Sequence, residues 1–162
     1  MRNLTLLTDF YELTMMYGYF KQGKTNQVAT FDVFFRPFEE SNFCIAAGLQ
    51  QAAEYLRDIR FGEEEREYLR STGAFDEEFL QWLKDFRFTG SVKAVPEGTV
   101  VFPYEPIMTV TAPICEAQLV EAALLNILNF QTLIATKARR ICHAAAPASV
   151  LEFGLRRAQA PD

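Results

Sequence analysis

Ala148-Ser149-Val150-Leu151-Glu152-Phe153-Gly154 reads as a short strand, and it follows a helical run from about Glu116 to His143. That order, a long helix and then a strand, marks the entry to an α/β layer and decides the fold class. The apolar residues of the helix cover most of its circumference, so it is expected to be buried on several sides. Gln118, Glu121, Asn129, Thr132, Thr136 and Arg140 form its one polar stripe, at three- and four-residue spacing. The most apolar stretch, Leu119 to Ala138, is interrupted by Glu121, Asn126, Asn129, Gln131 and Lys137, which excludes an ordinary membrane span. A single strand with nothing to pair it is expected to open a domain that continues past Asp162.

Before the long helix, the pattern is α+β. A first helix is expected from Thr8, whose hydroxyl can cap free N–H groups, with Phe10, Leu13, Tyr17 and Phe20 along one stripe and Gly23 as its stop. Gln27 to Arg36 alternates with a period of two, placing Ala29, Phe31, Val33 and Phe35 opposite Thr30, Asp32, Phe34 and Arg36. A short strand at Asn42 to Ala46 leads past Gly48 into a helix carrying Leu49, Ala52, Ala53, Leu56 and Ile59. Two acidic helices follow, at about Glu63 to Arg70 and after Asp76, a plausible N-cap. Strands at Ser91 to Phe102 and Ile107 to Thr111, punctuated by prolines, read as hairpin or small barrel-like structure. The expected division is residues 1–113 as an α+β N-terminal domain and 114–162 as the first helix and strand of an incomplete α/β barrel.

Composition narrows the function. The 162 residues are 49% hydrophobic and 23% charged, which suits a packed domain rather than a disordered chain. A net charge of −5 argues against a whole-surface nucleic-acid binder, though not against a local phosphate pocket. Three cysteines without a CxxC pair, and no apolar leader after Met1-Arg2, point to a reduced, cytoplasmic protein. There is no GxGxxG, Walker loop, HExxH or GxSxG. Glu63-Glu64-Glu65, balanced by Arg66 and Arg70, reads as a solvated helix face, and no metal site is expected. His143 beside Cys142 reads as a positive group at a helix C-terminus, because adjacent helical residues diverge by about 100°. What remains is a set of arginines at element ends: Arg36, Arg139, Arg140, and the pair Arg156-Arg157 past the last strand. Arginines so placed can grip phosphates bidentately, and the final pair is the best candidate.

These residues carry a family resemblance. Leu6-Leu7-Thr8-Asp9-Phe10-Tyr11-Glu12-Leu13-Thr14-Met15 resembles the opening motif of nicotinate phosphoribosyltransferases. Phe31 to Arg36, Ala46-Ala47-Gly48-Leu49, Pro96-Glu97-Gly98 with Phe102-Pro103, and Glu152 to Gln159 resemble that family's later motifs, in order along the whole chain. The resemblance implies displacement of pyrophosphate from C1 of 5-phosphoribosyl-1-pyrophosphate by the ring nitrogen of nicotinate, giving nicotinate mononucleotide for NAD synthesis. It also implies ATP assistance through a phosphorylated histidine, Mg²⁺ on the phosphates of both substrates, and a homodimer without nucleic acid or membrane as partner. A flat base needs π-surfaces, and an anionic donor needs arginines.

Residue by residue, the resemblance makes Tyr11 the ring that stacks on nicotinate across a dimer interface, with Phe153 beneath the same ring. Arg156 and Arg157 match arginines at the base and phosphate pocket. Arg36 resembles a cation reaching the donor phosphates from the partner subunit, and Asp9 resembles a residue that positions the Tyr11 helix. No catalytic residue is expected within these residues; the phosphohistidine should lie beyond Asp162, and His143 does not match it. Ala160 stands where the family has glycine. The chain is therefore expected to be an N-terminal portion, inactive alone. A nicotinamide- or quinolinate-using relative, or a non-catalytic truncated dimerisation module, are the alternatives.

Overall fold

The computed structural model describes residues 3–37 and 42–158; Gln159 and Ala160 lie outside the described residues. Helix α1 (Phe10–Lys21) is followed by strands β1 (Val28–Val33) and β2 (Cys44–Ile45), and then by helices α2 (Leu49–Asp58), α3 (Glu63–Ser71) and α4 (Glu77–Lys84). Strands β3 (Ser91–Ala94), β4 (Val100–Val101) and β5 (Met108–Pro113) lead into helices α5 (Ile114–Leu119) and α6 (Glu121–Ala145). The fold is α+β, as the residue pattern implies.

Strand β5 is the spine of a three-stranded antiparallel sheet of order β1-β5-β3. Its residues alternate by the strand period: Met108, Val110 and Ala112 are buried, while Thr109 and Thr111 face outward. On the outer face Thr111 shares a hydrogen bond with Thr30, and Thr109 donates to the Asp32 carboxylate at 2.6 Å. The expected strand from Ser91 to Phe102 divides at Pro96 and Gly98. Its first part joins this sheet, and its second, β4, pairs instead with β2. One core fills the space between these elements, running from Leu13 and Met16 of α1 through α2 and α4 to Leu124 and Leu128 of α6. It continues without a seam past residue 113.

Helix α1 packs on two sides. Its Tyr17 and Phe20 rings meet Phe75, Phe79 and Trp82 around α4, with centroids 5.1–5.6 Å apart. The side toward α5 is instead Glu12, Leu13 and Met16, all buried. Asp76 caps α4 as expected, accepting from the Phe79 N–H at 3.0 Å. It also accepts from Lys21 and the Tyr17 hydroxyl, tying α1 to α4. Those donors, Lys21 first, hold its carboxyl down at about 2.

Three expectations need correction. Thr8 is not the cap of α1: Asp9 occupies the N-cap position by its backbone, without a side-chain cap bond, and the Thr8 hydroxyl turns inward. The long helix is two helices, broken at Val120, where ψ of −8° opens the ladder. Thr8 donates toward the Leu119 carbonyl there, at 3.2 Å, so the break has side-chain partners. The third concerns the barrel's first strand. Residues 148–154 form no ladder, and a single 3₁₀ turn follows at Leu155–Arg157. A strand exists through the N–H and C=O groups of a neighbour, and no described segment lies beside this one.

Burial of the long helix on several sides also holds only for its first half. Leu124, Ile127 and Leu128 are buried, whereas Leu133, Ile134 and Ile141 are exposed. Two members of its polar stripe, Thr132 and Thr136, are buried and work inward. Thr136 Oγ1 accepts from the Ile45 N–H at 2.9 Å, and Thr132 Oγ1 accepts from the Ala47 N–H and donates to the Ala47 carbonyl, each at 3.2 Å. These bonds satisfy backbone groups that β2, only two residues long, leaves open.

Candidate functional site

A cleft of about 1040 Å³ opens between the approach to α1, the end of β1 and the outer side of α6. Leu7, Thr8 and Asp9 form one wall, and Asp32 to Arg36 form another. Asn126, Asn129 and Thr132 supply the polar groups of the third. Asp32 stands near the end of β1 and Arg36 three residues past it, so the strand's end and the segment that continues it make this wall. Two carboxylates, Asp9 and Asp32, stand against the one guanidinium of Arg36. The cleft is therefore net negative, and a phosphate resting there needs further cations beside Arg36.

Asp9 and Arg36 are thus brought together in one cleft. Asp9 stands at the N-cap position of α1 without a side-chain cap bond, and its carbonyl accepts from the Glu12 N–H at 3.1 Å. Tyr11 stands next to this cleft rather than in its lining, on the first turn of α1 and about half exposed. Its phenol is pushed above its ordinary value, first by the Glu121 carboxylate at the start of α6. The ring is therefore a neutral, accessible π-surface at neutral pH.

Phe153, Arg156 and Arg157 are placed elsewhere. Phe153 is 86% exposed, both arginines are exposed on the 3₁₀ turn, and none of the three lines the cleft. Of the other arginines, Arg140 lies over the Phe43 ring at 5.4 Å. Cys142 and His143 are exposed. Among the described residues no group of three His, Cys, Asp or Glu side chains could hold a metal ion. No helix among them is long and apolar enough to cross a membrane.

Pattern reading missed one residue, Glu12. It is fully buried, and it follows Tyr11 directly in the chain. Its spacing, next to Leu13 and four before Met16, puts it on the side of α1 that is buried, but a helical carboxylate reads as solvent-facing until the covering segment is known.

The sequence model of the nicotinate phosphoribosyltransferase N-terminal domain matches residues 6–129. A nicotinate phosphoribosyltransferase of Mycobacterium tuberculosis is 46% identical over 158 residues, 97% of this chain and 34% of that protein. One from Bacillus subtilis is 45% identical over 162 residues, 99% of this chain and 33% of that protein. The crystal structure of human nicotinic acid phosphoribosyltransferase superposes with a TM-score of 0.86 at 36% identity, over 96% of this chain and 32% of that one. The chain spans about a third of the length of these relatives. Because the domain match takes in well over half of its residues, this chain belongs to the nicotinate phosphoribosyltransferase family through that family's N-terminal domain.

Proposed function

We propose that this chain supplies the N-terminal, base-contacting part of a nicotinate phosphoribosyltransferase. The observation that carries the reading is 45–46% identity to two such enzymes across nearly all of the chain. In the reaction, the nicotinate ring nitrogen forms a bond to C1 of 5-phosphoribosyl-1-pyrophosphate as the C1–oxygen bond to pyrophosphate breaks. The products are nicotinate mononucleotide and pyrophosphate, with ATP hydrolysis assisting. A centre with oxocarbenium character is served by positioning and electrostatics, so the chain's part is to bind and orient. Tyr11 stacks on the base, contributed across a homodimer interface, and Phe153 packs on the same ring. Arg156 and Arg157 hold the carboxylate and phosphates, with Arg36 adding a cation from the partner side. Mg²⁺ arrives on the substrate phosphates rather than in a site built by these residues. Residues 1–113 make the N-terminal domain and 114–162 begin the barrel domain of a cytoplasmic enzyme.

The 162 residues alone are expected to give no turnover with nicotinate, phosphoribosyl pyrophosphate and ATP, because they span about a third of the length of the enzymes they resemble and the phosphohistidine is expected outside them. Measurable pyrophosphate release by the isolated chain counts against this assignment. In a protein of the relatives' full length, Tyr11→Ala is expected to lower kcat/KM for nicotinate by about tenfold or more through lost stacking. An unchanged value removes Tyr11 from the pocket. Competition among nicotinate, nicotinamide and quinolinate in the same protein tests the base.

A further inference from the structure

The first turn of α1 meets the corner between α5 and α6 around a buried carboxyl group. Glu12 is fully enclosed, and its Oε1 has no hydrogen-bond partner. Its Oε2 sits in short contact with Thr8 Oγ1, and that same hydroxyl lies 3.2 Å from the Leu119 carbonyl oxygen. A threonine hydroxyl has one proton to give. Were Glu12 ionised, both neighbours of Thr8 would be acceptors, and one hydrogen cannot serve two. A neutral acid closes the count: Glu12 Oε2–H donates to Thr8 Oγ1, and Thr8 donates to Leu119. Oε1 then remains as a carbonyl oxygen, which costs less to leave unpartnered than a carboxylate oxygen.

We propose that Glu12 is held as a neutral carboxylic acid, which hooks the first turn of α1 onto the Leu119 carbonyl through Thr8 and so acts as the positioning residue for Tyr11.

The surroundings agree. The ion pairs among the described residues use Lys21, Arg57, Arg66 and Arg70, and none reaches Glu12. Burial pushes its carboxyl above the ordinary range, and the charges of Glu121 on α6 and Asp9 before α1 push the same way. Opposing them are the Thr8 hydroxyl and the Ala122 backbone at the start of α6, and the Tyr11 hydroxyl also stands within hydrogen-bond reach of Glu12. From α2, the Tyr55 hydroxyl is likewise buried without a hydrogen-bond partner, and burial pushes it above its ordinary value. The link to Tyr11 rests on the phosphoribosyltransferase reading; the proton on Glu12 does not.

A carboxyl raised on folding contributes stability fully below its unfolded pKa, and loses it as pH climbs from there to the folded value. Glutamine can make the same donation to Thr8 and never ionises. Thermal unfolding of the full chain and of Glu12→Gln is therefore compared from pH 4.5 to 8. The difference in Tm is expected to move in favour of Glu12→Gln as pH rises, by on the order of 3 °C or more. Glu12→Ala, which donates nothing, is expected to stay below Glu12→Gln at every pH. In parallel, the ¹³C carboxyl resonance of Glu12 in the unaltered chain should titrate above the free value of about 4.3. A midpoint at or below that value, or a Tm difference that moves against Glu12→Gln as pH rises, overturns the proposal. Neither readout depends on turnover, so a failed nicotinate assay leaves this result untouched, and the reverse holds as well.

Discussion

Phe79→Ala is expected to lower the stability of the fold by about 3–5 kcal/mol, within the range for aromatic-to-alanine truncation in a packed core. Phe79 is completely buried, and four rings surround it: Tyr17 and Phe20 from α1, Phe75 before α4, and Trp82 one turn further along. Its centroid lies 5.1–5.7 Å from each, the separations at which tilted and offset pairs attract. Truncation removes all four pairs at once and leaves a cavity that cannot readily collapse, because the neighbours are anchored on two helices. The Asp76 links to Tyr17 and Lys21 remain, so α4 stays tethered to α1 while the packing between them is lost. Denaturant unfolding measures the loss as a lower midpoint at unchanged slope. A loss under about 1 kcal/mol would mean that the cluster repacks, and that α1 is held chiefly by its other face.

That other face shows where sequence reading stops. The stripe Phe10, Leu13, Tyr17 and Phe20 was legible because it follows the helical period, though Leu13 turns to the α5 side while the three rings face Phe75, Phe79 and Trp82. Alternation gave β1, and the acid at Asp76 gave the start of α4. Each of these signals is local, written within one or two turns of the chain. Glu12 was not legible, because a carboxylate on a helix reads as solvent-facing until the segment that covers it is known. The covering groups are Thr8, Leu119 and Ala122, two of them more than a hundred residues away. Thr132 and Thr136 follow the same logic: they marked a polar stripe, but their partners at Ile45 and Ala47 belong to a two-residue strand and the segment just past it, too short to announce their open backbone groups. The strand at 148–154 failed for the opposite reason. Val150, Leu151 and Phe153 have the composition of a strand, but pairing is a property of two segments and no described segment is its neighbour. For the site, the arginines and Tyr11 could be named by resemblance. Which of them share a cleft could not, since that depends on how β1 and α6 close around the approach to α1.

Gly48→Ala is expected to cost roughly 2–5 kcal/mol, combining a left-handed backbone at about 1–2 with overpacking at about 1–3. Gly48 has φ of +95°, which an L side chain rarely adopts, and it forms the corner between β2 and α2. A Cβ there would lie 3.1 Å from the Ile127 carbonyl oxygen and 3.1 Å from the Gln131 side chain. Gln131 can swing aside, but the Ile127 carbonyl belongs to α6 and moves only with the helix. The strain therefore passes to the Thr132 and Thr136 bonds that hold β2, one turn further along α6, and to the cleft wall that Thr132 completes. Gly18 supplies the control. It lies within α1 with nothing inside 4 Å of its added methyl, so Gly18→Ala should be neutral or stabilising by up to about 1 kcal/mol. Equal unfolding midpoints for the two variants would show that neither the φ nor the close approach at Gly48 constrains the fold. A loss confined to Gly48→Ala would place the Ala46-Ala47-Gly48-Leu49 motif in the packing of α2 against α6, and make its glycine a matter of sterics rather than of substrate contact.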